Sequence, residues 1–181
     1  MTRHARNYLD VTQPWPVPDG FTDLVYADNV IEHIPPHAGS DAFVHAFRAL
    51  TSGGVFGLAT PDIEAVTRQH LEGGESAALG MERNREKGRH FVHRVQLIRL
   101  IQQVFVGAQH YLGFSYDYAA LSTEMEAAGF EVNRRQPRNS EAAKMTGLEA
   151  RTHPAERLTV LIVEGRKPPE AGRTHTRKRD E

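Results

Sequence analysis

Residues 22–37 read TDLVYADNVIEHIPPH, and the reading of this stretch decides the fold. The run 22–27 is short and mostly apolar, as expected of a strand buried on both faces of a parallel sheet. It leads into Asp28 and Asn29, then into a brief helical turn over 29–34 that carries Glu32 and His33. Pro35-Pro36 should stop that turn, because proline disfavours helix at the residue before it. In open α/β sheets ligands bind beyond the carboxyl ends of the strands, where Ala27, Asp28 and Asn29 fall. The same residues satisfy plain capping, since Asn29 with Glu32 three residues on has the spacing of a capping box. Spacing alone leaves chemistry and capping both open.

Outward from this stretch, Ser40 is the expected cap of a helix with Phe43, Val44, Phe47 and Leu50 on one face, ending at Gly53-Gly54. Residues 55–60 (VFGLAT) form a second apolar strand, and Thr60-Pro61 makes an N-cap and N1 pair for a helix through Ile63, Val66 and Leu71. Residues 72–90 are glycine-rich, charged and aperiodic, and read as a mobile loop. An amphipathic helix is predicted over 95–105, and Ser115 should cap another, with Leu121 and Met125 inward and Gly129 just past its end. Residues 130–136 and 157–166 are the last two strands. On the amino-terminal side, 7–20 reads as a short strand-like piece and a proline-rich connection closing on Pro18-Asp19-Gly20. This alternation predicts an α/β domain over 1–167, with an antiparallel strand pair at one edge and a disordered tail over 168–181.

The chain has 181 residues, 39% hydrophobic and 25% charged, with a formal net charge of −1. That is enough for one real core, and it gives no bulk attraction to nucleic acid or to an anionic membrane. Ten histidines stand outside the charge count and would turn it positive in mild acid. Cysteine is absent, which excludes disulfides and thiolate zinc sites and fits a reducing compartment. With no run approaching ~20 apolar residues and no signal-like start, a cytoplasmic protein is expected, with neither nucleic-acid nor membrane partners.

Beyond the opening stretch, Asp10-Val11 is a candidate for holding a purine, the carboxylate accepting from an exocyclic amine and the next N–H serving a ring nitrogen. A lone Asp before a proline-rich loop is also an ordinary turn residue. His33 and His37 lie four apart and His90 and His93 three apart, but prolines interrupt the first pair and no carboxylate cluster completes either. A histidine-metal hydrolase is therefore a remote alternative, and no metal site is assigned. There is no G-x-S-x-G elbow, P-loop or H-E-x-x-H.

Taken in order, PWPVPDG, DLVYA, EHI, the helix ending at the Gly-Gly strand start, TPDIEA, and the closing VFVGAQHYLGFSYDYAALSTEMEAAGFEVNRR and RLTVLIVEGRKP resemble class I S-adenosylmethionine-dependent methyltransferases. The likeness is strongest to the bacterial branch associated with surface-polysaccharide genes and covers roughly residues 7–168. It implies a partial Rossmann-like sheet, mostly parallel, with residues 72–112 as a helical lid. It also implies S-adenosylmethionine as cofactor, with Asp10 and Val11 on the adenine and Ala27, Asp28 and Asn29 near the methionine part and the methyl acceptor. His33 would be the base taking a proton from the acceptor, a sugar or a small metabolite.

The resemblance has a gap. The family's first strand and glycine-rich turn, which cradle the cofactor, have no counterpart, since Gly20 and Gly39 are the only glycines before Gly53 and neither follows a strand. Two expectations follow. Either the chain is an amino-terminally truncated enzyme whose strand 22–27 is covered by the NYLDV segment, by a second copy or by a partner chain. Or it is a degenerate, non-catalytic domain used for binding or scaffolding.

Overall fold

The computed structural model describes residues 8–86, 114–140, 142–145, 147–149 and 151–169. The helix expected over 95–105, the His90/His93 pair, residues 87–112 of the expected lid and the tail from 170 lie outside them.

β1 (Thr22–Asp28) leads through a 3-10 turn (Ile31–His33) into α1 (Pro36–Ala49) and straight on into β2 (Leu50–Pro61). α2 (Ile63–Glu72) and α3 (Gly74–Glu86) follow, and then α4 (Tyr118–Ala127), β3 (Glu131–Arg135), α5 (Pro154–Leu158) and β4 (Val160–Arg166). The strands form one sheet in the order β1-β2-β4-β3. β1 and β2 are parallel, whereas β4 is antiparallel to both β2 and β3. The antiparallel β3–β4 pair at one edge agrees with the sequence reading. The expectation of a mostly parallel sheet is corrected: β4 enters at the carboxyl end of β2, with Val160 opposite Pro61, so it can only run backwards, and the sheet is mixed. β1 is also an edge strand with no fully buried residue, not one covered on both faces.

The core fills one face of this sheet. Phe56 and Leu58 of β2 and Leu161 and Val163 of β4 meet Phe43 and Ala46 of α1 and Leu121 and Met125 of α4. Phe130 adds tilted ring contacts to Phe56 and an edge contact to Phe47. Lys167 closes the carboxyl end of α1, donating to the carbonyls of Phe47 (2.9 Å) and Leu50 (2.7 Å), where a cation meets the negative end of the helix dipole.

Several expected boundaries move by a few residues, for one recurring reason. Pro35-Pro36 starts α1 instead of only stopping the turn, since Pro36 stands in its first turn, where a missing N–H costs nothing; Ser40 lies inside the helix. The caps of α2 and α4 are Asp62 and Asp117, whose carboxylates accept from Ala65 N–H and Ala120 N–H, not Thr60 and Ser115. Thr60 and Pro61 belong to β2. Residues 74–86, read as loop, are α3: Ala, Leu, Met, Glu and Arg carry high intrinsic helix propensity without needing an apolar period, and Gly73-Gly74, both at positive φ, make the break from α2. Val44, expected on the inner face of α1, is 53% exposed, while Phe43 is 0% exposed.

That contrast gives a direct test. Phe43→Ala should cost ~3–5 kcal/mol of unfolding free energy in urea, as for other buried aromatics. Val44→Ala should stay within about 0.5 kcal/mol.

Candidate functional site

β1 and β2 finish side by side. Asp28 pairs with Ala59, and the next residue, Asn29, donates its N–H to Ala59 O at 2.8 Å. Asn29 then turns the chain with φ of 52°, the left-handed region that Asn enters more readily than most side chains. The 3-10 turn that follows buries Ile31 and Glu32 and leaves His33 exposed. The Glu32 carboxylate is 1% exposed and accepts from Thr60 Oγ1 at 3.0 Å. With the Asn29 amide oriented to satisfy both neighbours, it donates to Glu32 Oε1 (3.1 Å) and accepts from Arg151 Nη2 (3.0 Å). Burial pushes the Glu32 carboxyl above its ordinary range, and hydrogen bonds from the backbone and Thr60 restrain that shift.

Arg151, arriving just ahead of α5, completes the cluster. Its Nη2 lies 2.5 Å from Asp28 Oδ1 and its Nη1 3.4 Å from Asp28 Oδ2, a two-point ion pair. Its Nη1 also reaches Glu149 Oε1 at 3.2 Å. Buried Glu149 is further held by the N–H groups of Arg138 (3.1 Å) and Arg151 (2.9 Å). Tyr26 donates its hydroxyl to Asp28 Oδ2 at 3.4 Å, and burial followed by the Asp28 charge pushes its pKa up to about 12, so it remains a donor. Alongside, Asp62 is 0% exposed, caps α2 and receives Arg134 Nη2 at 2.7 Å. A buried acid, a paired carboxylate and a protonated phenol therefore converge beyond two parallel strand ends. They offer acceptors to an amine or hydroxyl, and one carboxyl that burial holds above its ordinary range.

Of the residues singled out from sequence, Ala27, Asp28 and Asn29 come together at the strand end, with Glu32 beneath them and His33 at the rim. Asp10 and Val11 stand in a turn of their own. Asp10 is exposed and accepts from the hydroxyl (2.7 Å) and N–H (3.0 Å) of Thr12, which hold its carboxyl below the usual range. Val11 O accepts from Trp15 Nε1 at 3.4 Å, and the Trp15 ring lies against His45 of α1. His33 and His37 are split between the 3-10 turn and α1, and among the described residues no group of three His, Asp or Glu is placed to hold a metal. No helix of the described residues is long and apolar enough to cross a membrane. Sequence reasoning missed Arg151 and Glu149, for which no local pattern exists. It also missed Asp62, whose position ahead of the helical period of α2 was a readable cap signal.

Neither a family model nor a curated protein matches the chain by sequence. Solved structures do match it in shape. An S-adenosylmethionine-dependent methyltransferase from Mesorhizobium loti superposes with a TM-score of 0.50 at 13% identity, over 87% of this chain and 67% of its own. A SAM-dependent methyltransferase from Thermotoga maritima gives 0.46 at 17% identity, over 87% and 60%. A Haloferax volcanii protein held in complex with the Trm112 methyltransferase activator gives 0.49 at 15% identity, over 88% and 59%. The chain thus spans about three fifths to two thirds of these neighbours. At such identities the likeness is one of fold: the mixed α/β sheet is similar to the Rossmann-like sheet of class I methyltransferases.

Two measurements probe the cluster itself. Asp62→Ala removes both a cap and the partner of Arg134 and should cost about 1–2 kcal/mol in urea unfolding, whereas Asp62→Asn keeps an acceptor for Ala65 N–H and should cost less. Glu32→Gln should flatten the pH dependence of stability. The native carboxyl titrates above its ordinary 4.5, so the folded chain keeps this proton longer than the unfolded one, and stability falls as pH rises through that window. The wild type should lose stability relative to Glu32→Gln from about pH 4.5 upward; parallel profiles would show that Glu32 ionises normally.

Proposed function

We propose that this chain belongs to an S-adenosylmethionine-dependent methyltransferase, and that transfer takes place beyond the carboxyl ends of β1 and β2. One observation carries the proposal: the polar cluster of Asp28, Asn29 and buried Glu32 stands at the parallel strand ends of a methyltransferase-like sheet, where such sheets bind ligands. The residues fit one end of such a cofactor, since Asp28 and Asn29 offer acceptors to an amine. Asp10 and Val11 are assigned to the adenine and Ala27, Asp28 and Asn29 to the methionine end, on the strength of the sequence resemblance.

When bound, the cofactor supplies an electrophilic methyl group. The chain's part is to hold an acceptor in line with it and exclude water. His33, exposed at the rim beside Glu32, is the group we assign to take the acceptor's proton. A sugar hydroxyl or a small metabolite is the acceptor class the polysaccharide-branch resemblance supports. The resemblance finds no glycine-rich cradle, and we assign that part to a partner chain lying along β1, an edge strand among the described residues, next to exposed Phe21.

A second reading, a non-catalytic binding or scaffold domain, is favoured by one feature: the Asp28 carboxylate is already engaged by Arg151. Calorimetric titration with S-adenosylmethionine separates the two. Saturable heat that disappears in Asp10→Ala supports the cofactor site. No heat at about 1 mM cofactor, equivalent to binding weaker than about 4 kcal/mol, leaves the scaffold reading.

A further inference from the structure

The face of the sheet opposite α1 and α4 is partly covered by the connection between β3 and α5. Met145, 5% exposed, lies directly over Gly57 of β2: a Cβ at Gly57 would stand 1.5 Å from its terminal methyl and 3.2 Å from the Tyr26 ring. Gly57 is therefore a seat that any other residue would fill. Ser140 bonds the buried Glu164 of β4, and Glu149 gathers the N–H groups of Arg138 and Arg151, tying the two ends of the connection together. These anchors lie over the middle of the sheet or within the connection. Among the described residues of the connection, Arg151 is the one that reaches past the strand end, to Asp28 and Asn29.

What Arg151 would leave behind on withdrawing separates a latch from a keystone. Asp28 keeps the Tyr26 hydroxyl and is 33% exposed to water. Glu149 keeps two backbone N–H groups, and Asn29 keeps Glu32. Each partner keeps at least one hydrogen bond, and the cost of withdrawal falls on buried Glu149, which exchanges an ion pair for its two backbone N–H groups alone. A long, flexible stem and a shift of the connection together let the guanidinium withdraw, and Met145 is adaptable in its seat.

We infer that Arg151 is an autoinhibitory latch: its guanidinium occupies the acceptor atoms of Asp28 and Asn29 that a ligand's amine or hydroxyl would use, and it must swing away, loosening the β3–α5 connection, before a ligand seats. This rests on the methyl-transfer reading for the identity of the ligand but not for the contact itself. Opening and binding are then coupled, and a variant without the latch binds more tightly because no pair has to be broken first.

Arg151→Met is the test, in two arms on the full chain. In hydrogen exchange, peptides containing Met145 and Leu148 should exchange at least several-fold faster than in the wild type, with β2 peptides unchanged. In calorimetry, S-adenosylmethionine should bind about tenfold more tightly, an ordinary size for such coupling. Arg151→Lys, which keeps the charge but loses the two-point fork, should fall between, and it serves if Arg151→Met does not fold. Unchanged exchange in the connection overturns the latch, as does equal or weaker cofactor binding by the variants. If neither protein binds cofactor while exchange accelerates, the methyl-transfer reading fails and the latch stands.

Discussion

The parallel pairing of β1 with β2 is the constraint from which the strand-end cluster follows. Parallel strands joined through a helix must end at the same side of the sheet, so Asp28 is brought level with Ala59, and Asn29 N–H extends the ladder by one bond to Ala59 O. Once that bond is made, the chain has to turn sharply to enter α1, and the left-handed Asn29 and the 3-10 turn accomplish it. Glu32 is carried inward by that turn and not by any affinity for the core, and Thr60, the next residue along β2, is there to meet it at 3.0 Å. The polar cluster is thus a consequence of how two strands end, supplemented by one arginine from elsewhere.

The two faces of β2 are asymmetric, and the asymmetry positions that arginine. Phe56 and Leu58 point to the helices and fill a continuous apolar cluster, while Gly57 and Ala59 present almost no side chain to the other face. A flat surface of this kind admits a close-lying stretch of backbone, and Met145 fills the hollow over Gly57. From this seat the chain passes Glu149 and delivers Arg151 to the strand end. Larger residues on that face of β2 would hold the connection away and leave Asp28 to water.

Legibility in the sequence followed the range of the interaction. The four strands, the turn at Asp28–Asn29 and the inward Phe43 of α1 and Leu121 and Met125 of α4, though not Val44, are local patterns of period 2 or 3.6 that the sequence carries. Caps went astray by a few residues wherever two cap formers stand close together, as Thr60 and Asp62 do: which of them caps depends on where β2 stops pairing with β4, and no local signal records that. α3 was hidden because its helical tendency comes from composition without an apolar stripe. The Arg151–Asp28 pair joins residues 123 positions apart, across a connection without period that is seated by Met145 on Gly57 and by Ser140 on Glu164. The insertion of β4 between β2 and β3 was likewise out of reach, since an apolar run does not record its neighbours.

The charge balance of the cluster shows why these long-range contacts matter to the site. One guanidinium faces Asp28 and Glu149 directly and Glu32 through the Asn29 amide. Burial is the leading reason that Glu32 favours its neutral form, and the Asp28 charge acts in the same direction. With Glu32 protonated, the local charge is two carboxylates against one cation; with Glu32 ionised, it is three against one. Glu32 and Arg151 therefore meet through the two ends of the Asn29 amide. An arriving ligand that carries its own positive charge would replace Arg151 without altering this balance, whereas a neutral one would leave Asp28 and Glu32 to repel each other more strongly. On electrostatic grounds alone, the strand end is better matched to the cationic end of a ligand than to a neutral acceptor.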